Sequence, residues 1–230
     1  MKAILFHTFF FLWTGFISAL ILVLVFLPQS VNFWVANLWA DVILRALKFF
    51  TGVDMRIEGD LPPPGSLIAC QHQSVWETIV FHVLCHRPVF ILKKELMAIP
   101  FYGLFLRKLR MIPVHRKSFR PTYRQKFFTC VQESLTRRQS VIIFPEGTRN
   151  SPHASVRPYH SGIYHLAHHL NQPVIPAALN SGYFWPKRQK IQKSGTIVLR
   201  FLPAMKAEGD RKTFMTNLQN AIESHSPAES

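Results

Sequence analysis

The sequence predicts an α/β protein, with a mixed, largely parallel sheet flanked by helices and an N-terminal membrane-associated helical segment. Three observations carry that reading. Residues 3–40 contain no Asp, Glu, Lys or Arg. Beyond Gly52 short apolar runs punctuated by Pro and Gly alternate with helical stretches, the pattern of strands laid side by side with helices on their faces. At 230 residues the chain is long enough for one α/β unit plus an appendage and too short for two full domains. The division expected is therefore 1–50, membrane-anchoring helices, and 51–230, a catalytic domain.

Residues 3–27 are almost unbroken Phe, Leu, Ile, Val and Ala, and about 20 apolar residues suffice to cross the hydrocarbon layer. Lys2 gives the positive start of a signal peptide, but the run exceeds the usual ~7–15 residues and no small-residue cleavage site follows. After Pro28, Asp41, Arg45 and Lys48 recur at helical spacing over 31–50, among Trp34, Leu38, Trp39, Val42, Ile43, Ala46 and Phe49. Two readings stand: an amphipathic helix at the lipid boundary with its tryptophans at headgroup level, or an ordinary core helix. Basic residues after Arg45 argue for a cytoplasmic main domain. For a bacterial chain the location expected is the inner membrane.

Strands are predicted at 66–70, 89–92, 111–114, 141–144, 174–179 and 196–201. Helices are predicted at 75–86, 101–110, 123–138, 162–171 and 211–224. Residues 61–65, with three consecutive prolines, read as a stiff link from anchor to domain.

The net charge of +15 beside 48% hydrophobic residues favours anionic partners without disorder. With only 17% charged residues and long apolar stretches, a lipid bilayer is expected and nucleic acid is not. Cys70, Cys85 and Cys130 are odd in number and widely spaced, which excludes a disulfide scaffold and fits a reducing, cytosol-facing location.

The first chemistry-bearing segment is Gln71-His72-Gln73-Ser74-Val75-Trp76-Glu77, where a strand ends and a helix begins. A neutral imidazole there can take a hydroxyl proton, and a carboxylate on its other nitrogen fixes the tautomer and stabilises the cation. That is two members of a hydrolase triad, with a substrate hydroxyl in place of the serine. A second reading is structural: Ser74-x-x-Glu77 matches a helix capping box. The second segment, Val141 to Arg149, is a β-branched strand running into Pro145-Glu146-Gly147-Thr148-Arg149. Gly147 permits a sharp turn, and Arg149 offers a fork of donors suited to phosphate. No G-x-x-x-x-G-K-[ST] is present, so nucleotide hydrolysis is unsupported. A serine lipase would need a G-x-S-x-G elbow, also absent. Within His165, His168 and His169, two imidazoles stand at i, i+4, a spacing a metal could use, but no acidic or cysteine partner is evident and no metal is expected. Trp185-Pro186-Lys187-Arg188 forms a basic aromatic loop that reads either as a headgroup contact or as plain surface.

With these blocks in order, the sequence resembles the glycerophospholipid acyltransferases, most closely the bacterial lysophosphatidic acid (1-acylglycerol-3-phosphate) acyltransferases. The resemblance covers about 68–203. It rests on His72 to Glu77 matching H-x4-D/E; on Ile112-Pro113-Val114-His115-Arg116 after Lys93-Lys94-Glu95-Leu96 and Ile99-Pro100; on Phe144 to Arg149 matching F-P-E-G-T-R; and on Val174-Ile175-Pro176-Ala177. Departures are Glu77 where most members carry Asp, Gln71 where Asn usually precedes the His, and His115 where Asp is common.

The resemblance implies His72 as general base and Glu77 as its orienting carboxylate. It implies that Glu146, Gly147, Thr148 and Arg149, with Arg116, form the glycerol-phosphate pocket, and that Lys93 or Lys94 adds positive potential. The implied reaction moves a fatty acyl group from acyl-CoA or acyl-carrier protein, as co-substrate and with no resident cofactor, to the sn-2 hydroxyl of lysophosphatidic acid. The lysophospholipid acceptor would enter from the bilayer. Two alternatives remain at this point: the same chemistry on another lysolipid or on glycerol phosphate, and a non-catalytic basic membrane-binding protein.

Overall fold

The computed structural model describes residues 1–100, 102–114, 121–152, 158–187, 191 and 193–228. The chain opens with two long helices, α1 (Lys2–Leu24) and α2 (Gln29–Thr51). Strands follow as β1 (Val53–Glu58), β2 (Leu67–Cys70), β3 (Val89–Lys93), β4 (Ile112–Val114), β5 (Val141–Ile143), β6 (Val174–Leu179) and β7 (Gly195–Phe201). Between and after them lie α3 (Trp76–Leu84), α4 (Tyr102–Lys108), α5 (Pro121–Thr136), α6 (Gly162–Leu170), α7 (Ser181–Phe184) and α8 (Arg211–Ser224). A short 3₁₀ helix, Lys94–Ala98, joins β3 to α4.

The seven strands form one sheet in the order β1-β7-β6-β2-β5-β3-β4. Every described pairing is parallel except that of β6 with β7. The mixed, largely parallel sheet expected from the sequence is therefore present. Its central strands are apolar runs rather than alternations, because helices cover both faces: all four residues of β2 are fully buried, and so are five of the six in β6. Leu67, Ile68 and Ala69 of β2 stand opposite Val141, Ile142 and Ile143 of β5. That register brings the carboxyl ends of both strands, and the motifs that follow them, to one edge of the sheet.

Helix α1 is long and apolar enough to cross a membrane. Phe11, Leu12, Phe16 and Val23 leave more than half their surface exposed, which marks α1 as the membrane-associating element. One face of α2 joins the main core through Ala36, Ala40, Ile43 and Leu47, while Trp34 and Phe49 are exposed on the other side. The core-helix reading thus holds for one face. The helix ends at Gly52, whose φ of 72° and bond to the Lys48 carbonyl form a left-handed cap that few other residues adopt without strain.

Two expectations need correction. Strand β1 lies at 53–58, a stretch without a predicted element, and pairs with β7 over its whole length. The Pro-rich segment 61–65 therefore links β1 to β2 within the sheet instead of joining anchor to domain. The short helical turns at 94–98 and 181–184 were not expected either; at five and four residues they are too short for a 3.6-residue period to show.

Candidate active site

The site forms where β2, β5, β3 and β6 end. Residues 71–74 leave β2 as a polar turn held from several sides. The His72 N–H donates to Glu146 Oε1 at 2.9 Å, and the His72 carbonyl accepts from the Asn150 N–H at 2.7 Å. Gln71 Oε1 accepts from the Leu179 N–H at 3.1 Å, and Gln73 Oε1 from the Gly182 N–H at 3.0 Å. The imidazole itself stacks on Phe144, centroids 4.1 Å apart. Its backbone and ring plane are thereby fixed before any substrate arrives.

Glu77 is fully buried, and His72 Nδ1 lies 3.4 Å from Glu77 Oε1. The same oxygen accepts from the Gln73 and Ser74 N–H groups at 2.5 and 2.7 Å, and Oε2 accepts from Ser181 Oγ at 3.0 Å. An isolated buried carboxylate is costly, and three donors offset that cost here. The two readings of Glu77 are not exclusive: Ser74 Oγ also accepts from the Trp76 N–H at 3.1 Å, so a variant of the capping box and the His–carboxylate contact coexist. With Nδ1 turned to Glu77, Nε2 is the nitrogen left for a substrate proton.

A cavity of about 500 Å³ opens at His72. Gly147, Thr148, Arg149, Lys93 and Lys187 line it together with His72. Phe90, Leu92, Phe105, Leu106 and Met111 form an apolar wall, and Thr14, Ile17 and Ser18 of α1 and Trp39 of α2 complete it. A polar, cationic mouth at an imidazole leading into an apolar interior suits an amphiphile with an anionic head. Gly147, at φ 68°, donates its N–H to the Phe144 carbonyl at 2.9 Å and so turns the chain from β5 back along the cavity.

Lys93, Gly147, Thr148 and Arg149 line the cavity that holds His72. Lys94 is exposed and does not line the cavity. Glu146 is 8% exposed; it faces a separate polar recess with Gln71 and Tyr159, and its Oε1 accepts from the His72 backbone N–H. Arg116 and His115 lie outside the described residues. The two buried thiols are not nucleophile candidates: burial pushes Cys85 up to about 12, and Cys70 is likewise raised, first by burial and then by Glu77.

Sequence reasoning missed Gln71, Gln73, Asn150 and Ser181 as supports of the His72 turn, and His82 and Trp39 as cavity wall. His82 carries the one signal that was available, its place ten residues after His72 and one turn beyond Thr78, on the face of α3 that meets the cavity. It is 9% exposed, it meets Phe90 and Trp39 at 5.5 and 6.2 Å, and burial lowers its pKa to about 4.

A mixed, largely parallel α/β sheet, a His–Glu pair at strand ends and a cavity with a cationic mouth and an apolar interior are thus brought together. A family model described as Acyltransferase matches residues 53–180, and the chain belongs to that family. It is 30% identical over 215 residues to the 1-acyl-sn-glycerol-3-phosphate acyltransferase of Pseudomonas aeruginosa, covering 93% of this chain and 82% of that one. It is also 30% identical over 173 residues to the human 1-acyl-sn-glycerol-3-phosphate acyltransferase alpha, covering 73% and 60% respectively. The crystal structure of the 1-acyl-sn-glycerophosphate (LPA) acyltransferase PlsC from Thermotoga maritima superposes with a TM-score of 0.74 at 18% identity, over 97% of this chain and 95% of that one. At that identity the likeness concerns the fold.

Proposed function

We propose that this acyltransferase moves a fatty acyl group from acyl-CoA or acyl-carrier protein to the sn-2 hydroxyl of lysophosphatidic acid, giving phosphatidic acid. The carrying observation is that His72, paired with Glu77, shares one cavity with Arg149, Lys93 and an apolar interior. His72 Nε2 takes the acceptor hydroxyl proton as the oxygen attacks the thioester carbonyl carbon. The tetrahedral intermediate collapses with cleavage of the C–S bond, and the imidazolium returns its proton to the leaving thiolate. Glu77 stabilises the imidazolium between the two transfers.

Arg149 and Lys93 hold the acceptor phosphate, Arg116 joins them as the family motif implies, and the apolar wall takes acyl chain. Glu146 acts one step removed, by fixing the backbone of His72. The acceptor enters from the bilayer beside α1, with the catalytic domain on the cytoplasmic side. The names of the similar enzymes support the choice of acceptor. The test is to supply purified protein with lysophosphatidic acid, lysophosphatidylcholine, glycerol 3-phosphate or monoacylglycerol, each with acyl-CoA and with acyl-carrier protein. Phosphatidic acid is the product expected; preferential acylation of a phosphate-free acceptor would overturn the assignment.

A further inference from the structure

The segment 180–187, after β6, is tied to the site at one end and to the membrane helix at the other. At the first end, Ser181 Oγ donates to Glu77 Oε2 at 3.0 Å and the Gly182 N–H to Gln73 Oε1 at 3.0 Å. At the other end, Trp185, only 5% exposed, makes T-shaped contacts with Phe6 and Phe10 of α1 at centroid distances of 5.2 and 5.6 Å. Its N–H closes the turn on the Ser181 carbonyl at 2.9 Å. Two residues on, Lys187 Nζ reaches to 3.4 Å from the Arg149 carbonyl oxygen and lines the same cavity as His72, Thr148 and Arg149. A lysine on an exposed loop is ordinarily solvated and worth little, because ordering its side chain costs entropy. Here the segment is anchored as far as Trp185, which brings Lys187 near the Gly147–Arg149 turn, and the contact with the Arg149 carbonyl places its exposed side chain there.

We propose that Lys187 is a further phosphate-binding residue of the acceptor site, beside Arg149 and Lys93, and that it favours a phosphate monoester. A monoester carries a charge near −2 at neutral pH, so a cation added beside Arg149 and Lys93 gains more from it than from a singly charged group. A guanidinium fork on two oxygens leaves the third oxygen, which a diester lacks as a free charged site, to lysine point charges. A phosphodiester headgroup carries a single negative charge and would gain less. The inference rests on the acceptor being phosphate-bearing, and it adds the means of discriminating a monoester from a diester. It also makes α1 part of substrate recognition, since Phe6 and Phe10 fix the strap that carries the lysine.

The experiment compares wild type, Lys187→Gln and Lys187→Arg in one detergent or vesicle system. Steady-state constants are measured for lysophosphatidic acid, for lysophosphatidylglycerol as the diester, and for the acyl donor. Loss of one charge-assisted bond predicts that Lys187→Gln raises KM for lysophosphatidic acid about ten-fold, with a smaller change in kcat. The rise should be several-fold smaller for the diester, and Lys187→Arg should recover much of it. Equal changes for monoester and diester would overturn the inference, as would an effect confined to KM of acyl-CoA, whose own phosphates would then be the ligand. If wild type acylates lysophosphatidic acid and Lys187→Gln matches it, Lys187 alone is refuted. If wild type does not use lysophosphatidic acid at all, the functional assignment falls first and this inference with it.

Discussion

Glu77 does two jobs with one carboxylate. Its Oε1 meets His72 Nδ1 and the Gln73 and Ser74 amides, so substitutions separate local folding from charge. Glu77→Gln keeps an oxygen for both amides and gives Ser181 Oγ an N–H to accept, so the turn should persist while stabilisation of the imidazolium is lost. Turnover is expected to fall on the order of 10²-fold or more with an unchanged circular dichroism spectrum; a fully active Glu77→Gln enzyme would mean that the carboxylate only caps. Glu77→Asp keeps the charge and matches the usual family residue, so appreciable activity should survive. His82 offers a second check at this scale. Burial depresses its folded-state pKa to about 4 from an ordinary 6.5, so between these values the unfolded chain binds more protons. Stability from the neutral ring is complete above about pH 6.5 and is lost as pH falls toward 4, in total on the order of 3 kcal/mol. Denaturation midpoints across pH 4–7 should fall more steeply with acid for wild type than for His82→Phe; identical slopes would place the ring in water.

At the scale of elements, the cavity wall depends on a close approach. Gly103 of α4 lies against the Met97 backbone of the 3₁₀ helix, and a Cβ there would collide with the Met97 carbonyl. Arg107 strengthens the same junction by donating to that carbonyl at 3.0 Å. Gly103→Ala should therefore cost about 1–3 kcal/mol through forced displacement, and it should shift Phe105 and Leu106, which line the cavity. A thermal melt read beside the acyl-chain preference checks this; an unshifted melt would show that the helices part freely. The central strands were legible because they are continuous apolar runs, and in α8 the Asp210 side chain caps the helix by accepting from the Lys212 and Thr213 N–H groups. Strand β1 was passed over although Val53, Met55 and Ile57 alternate with Asp54, Arg56 and Glu58. It runs at a sheet edge with Met55 and Arg56 exposed and Asp54, Ile57 and Glu58 half-buried, so no clean alternation of burial marks it, and what makes it a strand is pairing with β7, about 140 residues away in the chain. Such pairing has no local signature. The antiparallel turn of β7 against β6 was equally hidden.

For the molecule as a whole, the parts of the site that could be read in advance are those that fall in contiguous segments. His72 with Glu77, and Gly147 with Thr148 and Arg149, are each adjacent in sequence, and the parallel pairing of β2 with β5 brings the two groups together. Ser181 and His82 have no motif of their own, and Lys187 belonged only to a basic aromatic loop with two readings; they enter because β6 ends beside β2, because α3 turns one face to the cavity, and because Trp185 docks on α1. Helix α1 consequently has two roles, carrying exposed apolar side chains outward and supplying Thr14, Ile17 and Ser18 to the cavity wall. The central claim is that His72 takes the proton from the hydroxyl of a lysophosphatidic acid drawn from the bilayer. It is tested most directly by the initial rate of phosphatidic acid formation from vesicle-borne lysophosphatidic acid and a saturating acyl donor, for wild type and for His72→Ala at matched folding. Wild type should form phosphatidic acid, and His72→Ala should be slower by on the order of 10²–10⁴; equal rates for the two proteins would contradict the account.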